Sequence, residues 1–161
     1  MTISVGEKLP EVTLTRMGAN GPEPVSTSEL FDGKKVVLFA VPGAFTPTCH
    51  GTHLPGYVSE AAAMKQAGID QIICLAVNDP FVLKAWEEAS NSAGSVDMIS
   101  DGNGELVTKI GLSFDGSAVG LGTRAVRFSM LVNDGVVEDL NVEDAPPVCD
   151  ISSAASMKAK I

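Results

Sequence analysis

Apolar positions along the chain gather into short runs divided by turn-forming residues, and the runs follow two different periods. Val36 to Val41 is unbroken, apolar and rich in β-branched residues, the pattern of a strand buried on both faces, and Pro42-Gly43 closes it. Gln71 to Val77 repeats that pattern. Between the two, a helix is predicted to begin near Thr48, to kink or restart at Pro55-Gly56, and to run from Tyr57 to Ala67 with Gly68 as its stop. Asn78, Asp79 and Pro80 supply an N-cap and an N1 proline for a helix reaching about Ala89. Upstream, Glu11 to Thr15 alternates weakly, as an edge strand does, and Gly18, Gly21, Pro22 and Pro24 predict a loop after it. Ser26-x-x-Glu29 is a capping box that opens a short helical turn through Leu30 and Phe31. Downstream come a short strand at Met98 to Ser100, the turn Asp101-Gly102-Asn103-Gly104 and a short helix over Glu105 to Ile110. Val126 to Val132, Asn133-Asp134-Gly135 and Val136 to Val142 then read as a β-hairpin, and Ser152 to Lys160 as a closing helix.

This order, with strands and helices alternating before a final hairpin and helix, predicts an α/β fold: a central mixed β-sheet flanked by helices on both faces. A thioredoxin fold fits, and the order alone also admits flavodoxin-like variants. No repeat, low-complexity tract or linker divides the 161 residues, so a single domain over residues 1–161 is expected. Composition narrows the partners. With 45% hydrophobic and 19% charged residues the chain is an ordinary folding sequence. Its formal charge of -9, from 20 acidic against 11 basic side chains, repels phosphate backbones and anionic lipid, so neither nucleic acid nor membrane is an expected partner. The start MTISVGEKLPE has no charged or apolar leader pattern and no run is long enough for a span, which makes a cytoplasmic or similarly reducing location the expectation.

The three cysteines, Cys49, Cys74 and Cys149, form no C-x-x-C pair and leave an odd count, unlike a secreted disulfide framework. Cys49 follows the first buried strand at the start of a helix, where α/β sheets place their ligands and where the amide groups favour an anion. Its neighbours are polar or turn-forming, so it reads as a reactive thiol. Thr46 stands where a dithiol oxidoreductase carries its second cysteine, which excludes a vicinal disulfide; its hydroxyl either caps the helix or orients an oxygen beside the sulfur. Cys49, His50 and His53 lack the spacing of a zinc site, and neither metal nor cofactor is expected.

Pro42-x-x-x-Thr46-x-x-Cys49 within VPGAFTPTCHGTHLPGY resembles the active-site segment of peroxiredoxins. With VNDPF at 77 to 81 and RFSMLVNDG at 127 to 135, the chain resembles the type II, or peroxiredoxin-5, subfamily over nearly its whole length. The resemblance implies a thioredoxin fold, a homodimer, and reduction of hydrogen peroxide and alkyl hydroperoxides by a thiol. It makes Cys49 the attacking sulfur, Thr46 the residue holding sulfur and peroxide, Arg127 the active-site arginine and Pro42 the shield of the pocket. The amide groups of Thr48 and Cys49 would meet the peroxide oxygens, and Arg124 is the alternative arginine. A thiolate needs no base, so His50 and His53 are read as packing residues. Cys74 reads as a core residue. Cys149 lies near the resolving cysteine of animal members, with shorter spacing after Asn141-Val142-Glu143. Two cycles therefore stay open, one resolved by the chain's own cysteine and one completed by thioredoxin or by glutathione with glutaredoxin. A non-catalytic redox sensor or thiol chaperone is the alternative reading.

Overall fold

The structure, a computed structural model, describes residues 1–161. In chain order the elements are β1 (Thr13–Gly18), β2 (Gly21–Ser26), α1 (Thr27–Phe31), β3 (Lys35–Val41), a π turn (Cys49–His53) that runs into α2 (Leu54–Gln66), β4 (Gln71–Ala76), α3 (Pro80–Ser90), β5 (Asp97–Ser100), α4 (Glu105–Lys109), β6 (Ser113–Asp115), a 3-10 turn (Ser117–Val119), β7 (Thr123–Ala125), β8 (Phe128–Asn133), β9 (Val136–Val142) and α5 (Ala154–Lys158). Seven strands form one sheet in the order β2-β1-β5-β4-β3-β8-β9, and β6 pairs with β7 apart from it. β3 lies parallel to β4 and antiparallel to β8. The sheet is therefore mixed, as the hairpin after the β-α-β segment required, and the architecture is a thioredoxin fold.

β3 divides its side chains between two cores. Val36, Leu38 and Ala40 join Leu30 and Phe31 of α1 and Leu106 and Val107 of α4 on one face. Val37, Phe39 and Val41 join residues of α2, α3 and α5 on the other. A central strand covered on both faces has no polar side to show, which is why its sequence is continuous rather than alternating. The caps are those expected. The Ser26 hydroxyl accepts from Glu29 N–H at 3.1 Å while Ser26 N–H donates to the Glu29 carboxylate at 2.7 Å, and Asp79 accepts from Val82 N–H at 2.8 Å ahead of Pro80. Asp134 and Gly135 both take positive φ, 51° and 78°, which closes the β8–β9 hairpin.

Three differences from the sequence reading have physical causes. The stretch from Gly21 to Ser26, expected as loop, is β2; it lies at the sheet edge, where Pro22 and Pro24 remove no interior hydrogen bond. That makes β1 an inner strand between β2 and β5 rather than an edge. The glycine-rich stretch after α4 holds the β6–β7 ribbon, whose three-residue strands are too short to show a period. The helix after β3 does restart near Pro55, as expected, through a π turn over Cys49–His53 that leads into α2.

Phe39 stacks on Tyr57 with ring centroids 4.0 Å apart and planes at 5°, beneath the helix that carries Cys49. Phe39→Ala is expected to lower the free energy of unfolding by about 3 to 5 kcal/mol, read from a urea titration followed by tryptophan fluorescence.

Candidate active site

The chain leaves β3 at Val41 and turns through 42–46 before helical geometry begins at Pro47. The turn is tight. A Cβ on Gly43 would sit 2.6 Å from the Arg124 guanidinium, and Phe45 takes a left-handed φ of 62°. The Thr46 hydroxyl donates to Gly43 O at 2.7 Å, which leaves its oxygen free to accept. His50 N–H reaches back to Thr46 O at 2.9 Å, so Cys49 lies in the first turn of the helix, where amide groups are without partners within the helix. The Leu54 N–H bond to Cys49 O widens the next turn into the π form.

Cys49 is wholly buried, and its sulfur meets one charged group. Arg127, which sits immediately before β8 rather than within it, donates from Nη2 to Cys49 Sγ at 3.1 Å. The same Nη2 donates to Pro146 O at 2.8 Å, Nε donates to Pro146 O at 3.2 Å, and Nη1 lies 2.9 Å from His53 Nδ1. Arg127 is only 2% exposed. The chain's ion pairs are all between side chains that reach solvent, and none includes this arginine. Arg124, the alternative, donates instead to Leu121 O at 2.8 Å and Pro42 O at 3.1 Å, so it braces the loop backbone and does not reach the sulfur. A cavity of about 270 Å³ opens beside this group, lined by Pro42, Thr46, Thr48, Leu121, Arg127 and the Pro146-Pro147 pair. All four residues singled out in the sequence, Pro42, Thr46, Cys49 and Arg127, thus converge on one place.

The Redoxin family description matches residues 4–158. The chain belongs to this family, as a peroxiredoxin. It is similar to the chloroplastic peroxiredoxin-2E of Arabidopsis thaliana, with 44% identity over 98% of this chain and 69% of that protein. It is also 45% identical to the hybrid peroxiredoxin hyPrx5 of Haemophilus influenzae, over 91% of this chain and 61% of that one. Among solved structures, reduced Prx3 of Vibrio vulnificus in complex with hydrogen peroxide superposes with a TM-score of 0.93, at 45% identity and 99% of each chain. A peroxiredoxin is a thiol-dependent peroxidase, so the chain is an oxidoreductase.

In this peroxiredoxin the two histidines do different work. His50 is exposed and accepts at Nδ1 from the Trp86 indole N–H at 3.0 Å, which ties the π turn to α3. His53 is 1% exposed and stands between Arg127 and Ser152 O, 3.0 Å from its Nε2. Burial, and after it the charge of Arg127, holds the His53 imidazole down to about 3. Its packing was legible in the sequence, but its contact with the arginine was not, because that contact crosses from residue 53 to residue 127. Cys74 is fully buried in β4, and burial pushes its thiol well up. Cys149 is half-buried, its thiol raised chiefly by burial, and it lines a separate cavity with Thr52, Gly56, Glu60 and Ser153.

The segment after β9 closes over the site, and no sequence signal pointed to its polar anchors. Thr48 Oγ1 donates to Pro147 O at 3.1 Å, and the Tyr57 hydroxyl to Ser152 O at 2.8 Å. Glu143 gathers Asp150 N–H at 2.6 Å and both Ser152 N–H and Ser152 Oγ at 2.8 Å. Burial alone would raise this carboxyl, but those donors outweigh it and hold it below its ordinary range.

The low proton affinity of His53 makes stability depend on pH. The unfolded chain binds a proton at this residue near 6.5 and the folded chain does so only near 3, so stability falls as pH drops through that window. Between pH 7 and pH 5 the loss from His53 is about 2 kcal/mol, and His53→Asn is expected to flatten that part of the profile in urea titrations.

Proposed function

We propose that the chain reduces hydrogen peroxide and alkyl hydroperoxides with Cys49 as the attacking sulfur. The observation that carries this reading is the 3.1 Å contact between Arg127 Nη2 and Cys49 Sγ beside the proline-walled cavity. The Cys49 thiolate attacks one peroxide oxygen along the O–O axis. The S–O bond forms as the O–O bond breaks, the sulfur is oxidised to sulfenic acid, and the other oxygen leaves as alkoxide or hydroxide and takes a proton. Arg127 stabilises the negative charge as it moves from sulfur to the leaving oxygen. Thr46, with its hydroxyl proton given to Gly43, offers an acceptor to the peroxide O–H, and the first-turn amide groups of Thr48 and Cys49 offer donors. Pro42 and the Pro146-Pro147 pair shield the reaction from water and give the organic part of an alkyl hydroperoxide an apolar wall. Prx3 of Vibrio vulnificus, solved with hydrogen peroxide, supports the smaller substrate.

Two thiols then return the sulfenic acid to thiol, the first releasing water as a disulfide forms and the second reducing that disulfide. We assign the external supply to thioredoxin or to glutathione with glutaredoxin, in the cytoplasm or a similarly reducing compartment. Residues 1–161 act as one domain, since the two cores share one sheet. We also infer a homodimer. Phe45 and Phe81 are exposed at 50% and 65%. The Ala44 N–H bond to Asn78 Oδ1 ties the turn that carries Phe45 to the residues just ahead of α3, which carries Phe81, and these exposed rings are offered to a second copy.

Cys49→Ser is expected to abolish peroxide consumption in a coupled assay, Arg127→Ala to slow it at least about a hundredfold, and Cys74→Ser to leave it intact. Activity retained by Cys49→Ser would overturn the assignment. For recycling, intact mass after one equivalent of hydrogen peroxide separates the two cycles. A Cys49–Cys149 disulfide, lost in Cys149→Ser, marks a self-resolving enzyme, and a trappable sulfenic acid on Cys49 alone marks a cycle closed by an external thiol.

A further inference from the structure

We propose that His53 is the positioning residue that aims the Arg127 guanidinium at Cys49, an inference that rests on the reading of Arg127 and Cys49 given above. A guanidinium is a rigid plane, so two fixed contacts on different edges set where the remaining N–H bonds point. Pro146 O holds the edge formed by Nε and Nη2. His53 Nδ1 holds Nη1 at 2.9 Å, and with both in place Nη2 meets the sulfur.

The imidazole is suited to this work by its own surroundings. Nε2 faces Ser152 O, a carbonyl that only accepts, so the ring proton sits on Nε2 and Nδ1 presents a lone pair to the arginine. The ring is held against Phe39, centroids 4.9 Å apart, and Tyr57, 5.5 Å apart. Neither nitrogen faces the cavity that Arg127 and Thr46 line, which excludes a role as the base that takes a proton from peroxide. Take the lone pair away and Nη1 becomes a buried donor without a partner; the guanidinium then turns to find another acceptor and carries Nη2 off the sulfur.

The test separates the two imidazole nitrogens. The Oδ1 of asparagine falls near the place of Nδ1 and accepts from Arg127, whereas glutamine reaches the place of Nε2 and leaves Nη1 without its acceptor. Single-turnover oxidation of Cys49 by hydrogen peroxide is measured for His53→Asn, His53→Gln and His53→Leu, beside the rate of Cys49 alkylation by iodoacetamide, which depends on the thiolate but forms no leaving oxygen for Arg127 to stabilise. His53→Leu and His53→Gln are expected to lose about tenfold to a hundredfold in the peroxide rate relative to alkylation, and His53→Asn to keep most of it. A wild-type ratio in His53→Leu, or equal losses in the asparagine and glutamine variants, overturns the proposal. If the leucine variant does not fold, the asparagine and glutamine pair decides alone. Peroxide consumption by Cys49→Ser and Arg127→Ala, measured alongside, keeps the two readings apart. If they remain active the enzyme assignment fails, and if they lose activity while the His53 variants do not, only the positioning role fails.

Discussion

The arrangement of this site follows from one buried positive charge. Removing a guanidinium from water costs several kcal/mol unless its donors are met, and the usual remedy is a carboxylate. Arg127 has none in contact. Its donors go to a carbonyl, an imidazole and a sulfur, supplied by the loop after β9 and by the π turn ahead of α2. Of these acceptors only a thiol can become an anion, so the fold leaves the arginine's electrostatic demand to the atom on which the proposed chemistry falls.

The same charge organises the C-terminal segment. Pro146 O is an acceptor for Arg127, Pro147 O for Thr48, and Ser152 O for His53 and Tyr57, so a stretch with no secondary structure of its own is held through its carbonyls. Glu143 fixes the far end by collecting the N–H groups of Asp150 and Ser152. Beyond it, Ala154 and Met157 of α5 sit in the core that contains Cys49 and Tyr57. The segment therefore walls the cavity with two prolines, the carbonyl of Pro146 taken by Arg127 and that of Pro147 by Thr48.

Much of this was legible in the sequence because its causes are local. The unbroken run Val36 to Val41 reports burial on both faces, Ser26 to Glu29 reports a cap, and Asn133-Asp134-Gly135 reports a hairpin turn. Cys49 could be singled out because a thiol between turn residues and a helix start has a physical role there. β2 was hidden because its prolines argue against a strand everywhere except at an edge, and a strand's place in a sheet is a tertiary fact. The anchors of the C-terminal segment are backbone carbonyls, which every residue carries and no side-chain pattern announces. His53 was visible as a buried histidine, but what it touches depends on how β8 is brought against the helix.

The closed geometry also constrains the second half of the proposed cycle. A peroxide is small enough for the cavity beside Arg127, whereas a reducing thiol has to bring its own sulfur within bonding distance of Cys49 Sγ, which is wholly buried. Some part of the enclosure has to open. The loop at 146 and 147 is held by charge-assisted bonds to Arg127, and releasing them would leave the guanidinium's donors buried and unmet. Apart from the contacts of Arg127, the helix start is held by uncharged bonds such as His50 N–H to Thr46 O and the Thr48 hydroxyl to Pro147 O. In the proposed cycle a thiolate becomes a neutral sulfenic acid, and the anionic partner of Nη2 is lost with it. The proposed step that makes the sulfenic acid thus weakens one contact of Cys49, on the side of the enclosure whose other bonds are largely uncharged.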